Sequence, residues 1–116
     1  MRRGDIHLVD LEPVRGSEAD KRRPAVIVSN DASNAITARL GRGLLTVVPL
    51  TSRIGRVYRF QLLLPAARTG LKKDSKAQAE QIRAVAIERV GERIGLVPYA
   101  LLSKLEDAIR IHLDLG

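Results

Sequence analysis

Pro24-Ala25-Val26-Ile27-Val28-Ser29 is apolar almost without interruption, as a strand covered by protein on both faces should be. Whatever the chain folds into must therefore supply two cover layers for this one segment. Before it runs a polar, charged, glycine-containing stretch, Gly16-Ser17-Glu18-Ala19-Asp20-Lys21-Arg22-Arg23. Pro24 fixes φ at the first residue of the strand, where a missing N–H costs least, and biases Arg23 toward extended backbone. Arg23 is thus a cation held at the edge of a rigid element, better placed for chemistry than one on a floppy tail.

The remaining elements follow from periodicity and punctuation. Asp5 to Leu11 alternates loosely and reads as a strand ended by Glu12-Pro13. Asp31 reads as the N-cap of a short helix from Ala32 to about Leu40, stopped by Gly41. Leu44 to Leu50 is another β-branched strand, and Arg53 to Val57 reads as a mobile loop around Gly55. Tyr58 to Leu64 alternates as a strand, with Arg59 and Gln61 on one face and Tyr58, Phe60 and Leu62 on the other. Pro65 to Lys76 reads as a second basic loop and Arg93 to Val97 as a short last strand. Between them Gln78 to Glu88 is ambiguous: Ala77, Ala79 and Glu80 favour a helix, whereas Ile82 to Ile87 alternates. A strand from about Gln78 is favoured because the neighbouring strands need pairing. Pro98 opens the one long helix, Tyr99 to about Leu113, with Leu102, Leu105, Ile109 and Leu113 as its apolar stripe. Five or six strands with two helices predict a small, mostly antiparallel barrel of the mainly β or α+β class, as a single domain over residues 1–116.

Charge and composition narrow the function. Residues 53–76 carry seven cations against Asp74 alone, so most of the net charge of +7 sits in one central segment. That asymmetry suits a polyanion or an acidic protein partner. With only Tyr58, Phe60 and Tyr99 aromatic, a multi-ring platform for base stacking is not expected. The absence of cysteine removes disulfides, thiolate zinc sites and cysteine nucleophiles together. No apolar run approaches the roughly 18 residues of a membrane span, and the charged start Met1-Arg2-Arg3-Gly4-Asp5 lacks the apolar core of a signal peptide. A cytoplasmic protein is the simplest expectation.

His7 and His112 stand at opposite ends of the chain and read as structural; no ligand spacing, phosphate loop or serine-hydrolase motif is present, so no metal or cofactor is expected. An enzyme built from this chain has arginines, hydroxyls and a few carboxylates as tools. That toolkit fits cleavage of RNA, whose 2′-OH supplies its own nucleophile. The protein then has to align that oxygen with the phosphorus and stabilise charge on the phosphoryl oxygens, which the planar donor fork of arginine suits.

The sequence resembles the MazF/PemK family of toxin endoribonucleases from bacterial toxin–antitoxin systems. The resemblance rests on Arg3-Gly4-Asp5-Ile6, Val9-Asp10-Leu11 and Pro13, then Gly16-Ser17-Glu18 with Lys21 and Arg23-Pro24-Ala25-Val26-Ile27-Val28. Pro49-Leu50-Thr51-Ser52, Gly70-Leu71 to Ser75, and Gln81-Ile82-Arg83 complete it over roughly residues 3–113. It implies an SH3-like barrel, a homodimer, an acidic antitoxin partner, and metal-independent, sequence-selective cleavage of single-stranded RNA to 2′,3′-cyclic phosphate and 5′-OH ends. It carries the family's catalytic arginine onto Arg23 and its catalytic threonine onto Thr51. Gly16, Ser17, Glu18, Lys21, Arg22, Ser52, Ser75, Gln81 and Arg83 fall where related toxins contact RNA. Arg53, Arg56 and Lys73 join them from the basic segment, and Glu18 is the nearest carboxylate by sequence to serve as base.

Two positions depart from the family pattern. His7 stands where relatives commonly have an aromatic residue, and the 53–57 loop is short and arginine-rich. Two other readings remain: a non-catalytic SH3-like nucleic-acid-binding module, and a gyrase-poisoning toxin of the same fold. Arg23-Pro24 with Pro49-Leu50-Thr51 argues against the second.

Overall fold

The computed structural model describes residues 1–11 and 22–116. Its strands are β1 (Asp5–Asp10), β2 (Arg22–Ile27), β3 (Leu44–Thr51), β4 (Gln61–Leu64), β5 (Ser75–Gln78), β6 (Arg83–Ala86) and β7 (Val90–Leu96). Helix α1 (Asp31–Leu40) follows β2, a single turn α2 (Ala66–Thr69) follows β4, and α3 (Tyr99–Leu113) ends the fold. The strands form one seven-stranded sheet in the order β4-β5-β3-β2-β1-β7, with β6 also on β3, and every described pairing is antiparallel. The mainly β, α+β expectation holds, with seven strands where five or six were expected.

Strand β3 is the hub. One edge pairs with β2; the other is shared, with β6 along Leu44–Val47 and β5 along Leu50–Thr51. Passing from Leu50 to Val47 takes three residues of β3, whereas the facing chain uses six, from Ala77 to Arg83. The surplus leaves the sheet as a 3₁₀ turn, Ala79–Gln81. That is why the single strand expected from Gln78 to Glu88 is divided. Pro49 sits opposite the gap, where its missing N–H breaks no ladder bond.

The sheet has two apolar faces, as the run after Pro24 requires. Ile6, Val26, Val48, Leu50, Leu64 and Ala77 share one face with Leu101, Leu102 and Leu105 of α3. Val9, Ala25, Ile27, Leu45, Val47 and Val85 form a second cluster, built from the alternate residues of the same strands. His7 is buried on that alternate phase, its Nδ1 2.9 Å from the Gly91 carbonyl, which suits the structural role expected of it.

Local chemistry explains the other differences. Asn30, not Asp31, caps α1: its Oδ1 accepts the Ser33 N–H at 2.8 Å, and Gly41 closes the helix at φ 68°. Asp31 lies in the first turn, where the Arg3 backbone N–H holds its carboxyl below the usual range. Only Gln61–Leu64 of the expected Tyr58–Leu64 strand pairs. The Gln61 side chain accepts the Tyr58 N–H while the Gln61 N–H donates to the Tyr58 carbonyl, so residues 58–61 curl into a turn that competes with extension. Residues 65–76 are not one loop: Asp74 accepts the Ala66 N–H at 2.8 Å and starts α2, and Ser75 begins β5. The last strand runs Val90–Leu96, three residues earlier than its expected start. In α3 the buried residues are Leu101, Leu102, Leu105 and Ala108, whereas Leu113 is 46% exposed, because the final turn extends past the sheet.

Candidate active site

Arg23 and Thr51 line one groove because of where the β2–β3 ladder stops. Its last pair is Ala25–Pro49. The Val28 N–H donates to the Thr46 carbonyl at 2.9 Å, so residues of that phase in β2 point their N–H groups toward β3. Pro24 shares the phase and lacks the donor that would carry the ladder onward. Continuing the same register two residues sets Arg23 opposite Thr51, with both side chains on the face of the second apolar cluster.

A groove of about 600 Å³ opens there, lined by Arg23, Thr51, Ser52, Arg53, Gln81 and Arg83 above Leu11 and Pro49. Gln81 arrives on the 3₁₀ turn and Arg83 at the start of β6, so the register surplus described above is what aims them inward. Arg83 donates one N–H to the Leu11 carbonyl at 2.8 Å, which fixes the guanidinium and leaves the rest of its donor fork for a ligand. The Thr51 hydroxyl accepts the Arg53 N–H at 3.2 Å, which leaves its own proton to donate. Three guanidinium groups and two hydroxyls line the groove, with no carboxylate among its described residues. Such a site favours an oxyanion.

A second groove of about 580 Å³ lies on the other side of the same strand edge and shares Pro24, Leu50, Thr51 and Ser52 with the first. Leu8, Leu71 and Ile94 give it an apolar floor, and Lys72, Lys73, Ser75 and Glu92 contribute the polar part. Two expected RNA contacts, Lys73 and Ser75, therefore stand one groove away from Arg23. The Ser75 hydroxyl donates to the Lys73 carbonyl at 3.2 Å and braces that bend.

The other expected residues divide as follows. Arg22 points to the opposite phase from Arg23, its guanidinium over Gly91 and 3.2 Å from where a Cβ would stand. Arg56 lines neither groove and lies over the Tyr58 ring. Gly16, Ser17, Glu18 and Lys21 lie outside the described residues. Sequence reasoning missed Gln78, which lines the first groove, and Lys76, whose Cα pairs with Thr51. The alternation Ser75-Lys76-Ala77-Gln78 was the available signal, obscured by reading Lys76 as the end of a loop. Among the described residues, no group of three or more His, Cys, Asp or Glu side chains is placed to hold a metal ion.

Comparison with known proteins identifies the family. The family model of PemK-like, MazF-like toxins of type II toxin–antitoxin systems matches residues 2–113. Endoribonuclease MazF9 of Mycobacterium tuberculosis is 60% identical over 115 residues, covering 99% of this chain and 98% of that protein. Endoribonuclease MazF of Staphylococcus saprophyticus is 34% identical, covering 99% and 92%. A chain of the MazE–MazF crystal structure (Form-II) from Deinococcus radiodurans superposes with a TM-score of 0.79 at 26% identity, covering 100% of this chain and 97% of that one. The chain belongs to the PemK-like, MazF-like toxins of type II toxin–antitoxin systems.

Proposed function

We propose that this toxin is a sequence-specific endoribonuclease that cuts single-stranded RNA by attack of the 2′-OH on the adjacent phosphorus. The observation that carries the reading is that Arg23 and Thr51 line one groove with no described carboxylate. Such a groove accepts a phosphate, and RNA brings the nucleophile. Arg23 offers paired donors to the phosphoryl oxygens, and the Thr51 hydroxyl adds one more. Arg53, Arg83 and Gln81 hold the strand on either side of the scissile bond, and Ser52, Lys73 and Ser75 continue the track into the second groove. The names of the two relatives support the activity. Glu18 stands as the candidate base by its place in the sequence.

The reaction needs no water-activating metal, because the attacking oxygen belongs to the substrate. Incubating the purified protein with RNA in EDTA should therefore yield fragments with 2′,3′-cyclic phosphate and 5′-OH ends. Intact RNA, or cutting abolished by EDTA, would overturn the reading. The first result would instead favour a binding module.

The same proposal includes a cytoplasmic homodimer and an acidic antitoxin segment covering the cationic groove. Crystals pairing MazE with MazF support the antitoxin partner, and no helix among the described residues is long and apolar enough to cross a membrane. Light scattering at micromolar concentration should report twice 12.7 kDa. A monomeric mass removes the dimer from the proposal.

A further inference from the structure

The chain has three aromatic residues, and the fold stacks two of them. The rings of Tyr58 and Phe60 lie 5.3 Å apart, within 5° of parallel. The Arg56 guanidinium carbon stands 4.8 Å from the centre of the Tyr58 ring, and the Lys76 ammonium 5.9 Å. Tyr58 is nevertheless 43% exposed.

This arrangement is built rather than incidental. Lys76 is only 8% exposed, and its Nζ donates to the Arg56 carbonyl at 2.6 Å. Gln61 accepts the Tyr58 N–H and in turn donates its Nε2–H to a Glu80 carboxylate oxygen at 2.8 Å. A segment without regular secondary structure is thereby tied at two points, the Arg56 carbonyl and the N–H of Tyr58 itself. Burying an ammonium is costly, so a lysine spent on pinning a surface loop marks that loop's conformation as one the fold maintains. The lysine's Cα pairs with that of Thr51, so the ring is anchored on the strand position next to the proposed catalytic hydroxyl.

We propose that Tyr58 is the stacking residue for one unpaired nucleobase of the RNA, held by Lys76 and served by Arg56. The inference rests on the nuclease reading above and adds a base-recognition residue to it. Stacking on an aromatic side chain is worth about 5- to 140-fold in affinity per base, whereas an exposed cation–π pair is worth about 2- to 5-fold. The base therefore wins the ring from Arg56. The displaced guanidinium then lies beside the phosphate of the nucleotide that displaced it. A single stacked base reconciles the basic segment with the chain's scarcity of aromatic residues.

Binding of two short single strands tests this by fluorescence anisotropy: a mixed-sequence strand lacking 2′-OH groups, and an abasic strand of equal length. Neither is cut, so affinity is read alone. Tyr58→Leu should weaken the base-bearing strand about 5- to 140-fold and leave the abasic strand unchanged. Tyr58→Phe should keep wild-type affinity for both. Thermal unfolding of each variant checks that the loop change has not cost the fold. Equal losses on both strands, no loss on either, or wild-type protein that binds the two strands equally would each overturn the role of Tyr58 while leaving cleavage in EDTA intact. Wild-type protein that neither binds nor cuts would overturn the nuclease reading as well.

Discussion

Arg23→Ala is expected to slow single-turnover cleavage of a short RNA by at least about 100- to 1000-fold, roughly 3–4 kcal/mol of transition-state stabilisation. Charge builds on the phosphoryl oxygens as the 2′-oxygen attacks, and a donor aimed there strengthens its bond as the barrier is climbed. Arg23→Lys should recover little, because an ammonium is a point charge and cannot reproduce the paired donors of a guanidinium. Thr51→Ala should also be crippled, though less, since a neutral hydroxyl stabilises an anion less than a cation does. The fold should survive all three changes. Arg23 is exposed and lies beyond the last β2–β3 pair, and Thr51 is only half-buried at the end of β3. Circular dichroism checks that point. A folded Arg23→Ala protein that cuts at the wild-type rate would remove Arg23 from the mechanism.

Much of this site was legible in the sequence because proline leaves a mark in one dimension. Arg23-Pro24 marked where the pairing of β2 with β3 stops and which side chain stands beyond it, although β2 itself starts two residues before Pro24, at Arg22. Pro49-Leu50-Thr51-Ser52 marked the end of β3. That the two edges face one another was not legible, since register depends on which residues pair. It emerged only from the Ala25–Pro49 ladder and the missing Pro24 donor. The errors have the same origin. The 3₁₀ turn at Ala79–Gln81 exists because β5 and β6 meet β3 three residues out of phase, and no local pattern announces such a slip. The alternation from Tyr58 to Phe60 looked like a strand, yet a long-range partner, Glu80, orients the Gln61 side chain that folds those residues into a turn. Lys76 was hidden by a strand start placed three residues late, at Gln78 instead of Ser75, and Gln78 by reading that strand as continuous through the 3₁₀ turn. The loop residues from Gly16 to Lys21 stay where the family resemblance put them, outside the described structure.

Leu105→Ala should do the opposite of Arg23→Ala, costing stability and sparing chemistry. Leu105 is 0% exposed and belongs to the cluster that joins α3 to Ile6, Val26, Val48 and Leu64. Truncating a fully buried leucine removes its transfer energy and leaves a cavity that the neighbours fill only in part, about 2–5 kcal/mol together. A domain of this size has about 5–15 kcal/mol to lose, so the variant should unfold at a clearly lower urea concentration with an unchanged slope. Catalysis should be spared because a β-strand sends alternate side chains to opposite faces. Val26 and Val48 meet the helix, whereas Arg23, Ala25, Val47 and Thr51 share the other phase, so the cavity opens on the far side of the sheet from the proposed chemistry. At a temperature where the variant remains folded, its single-turnover rate should stay within a few fold of wild type. A loss near that of Arg23→Ala, with the folded fraction intact, would mean that α3 holds the groove in shape through the sheet. The two faces would then be a single mechanical unit rather than a scaffold with a site on its other side.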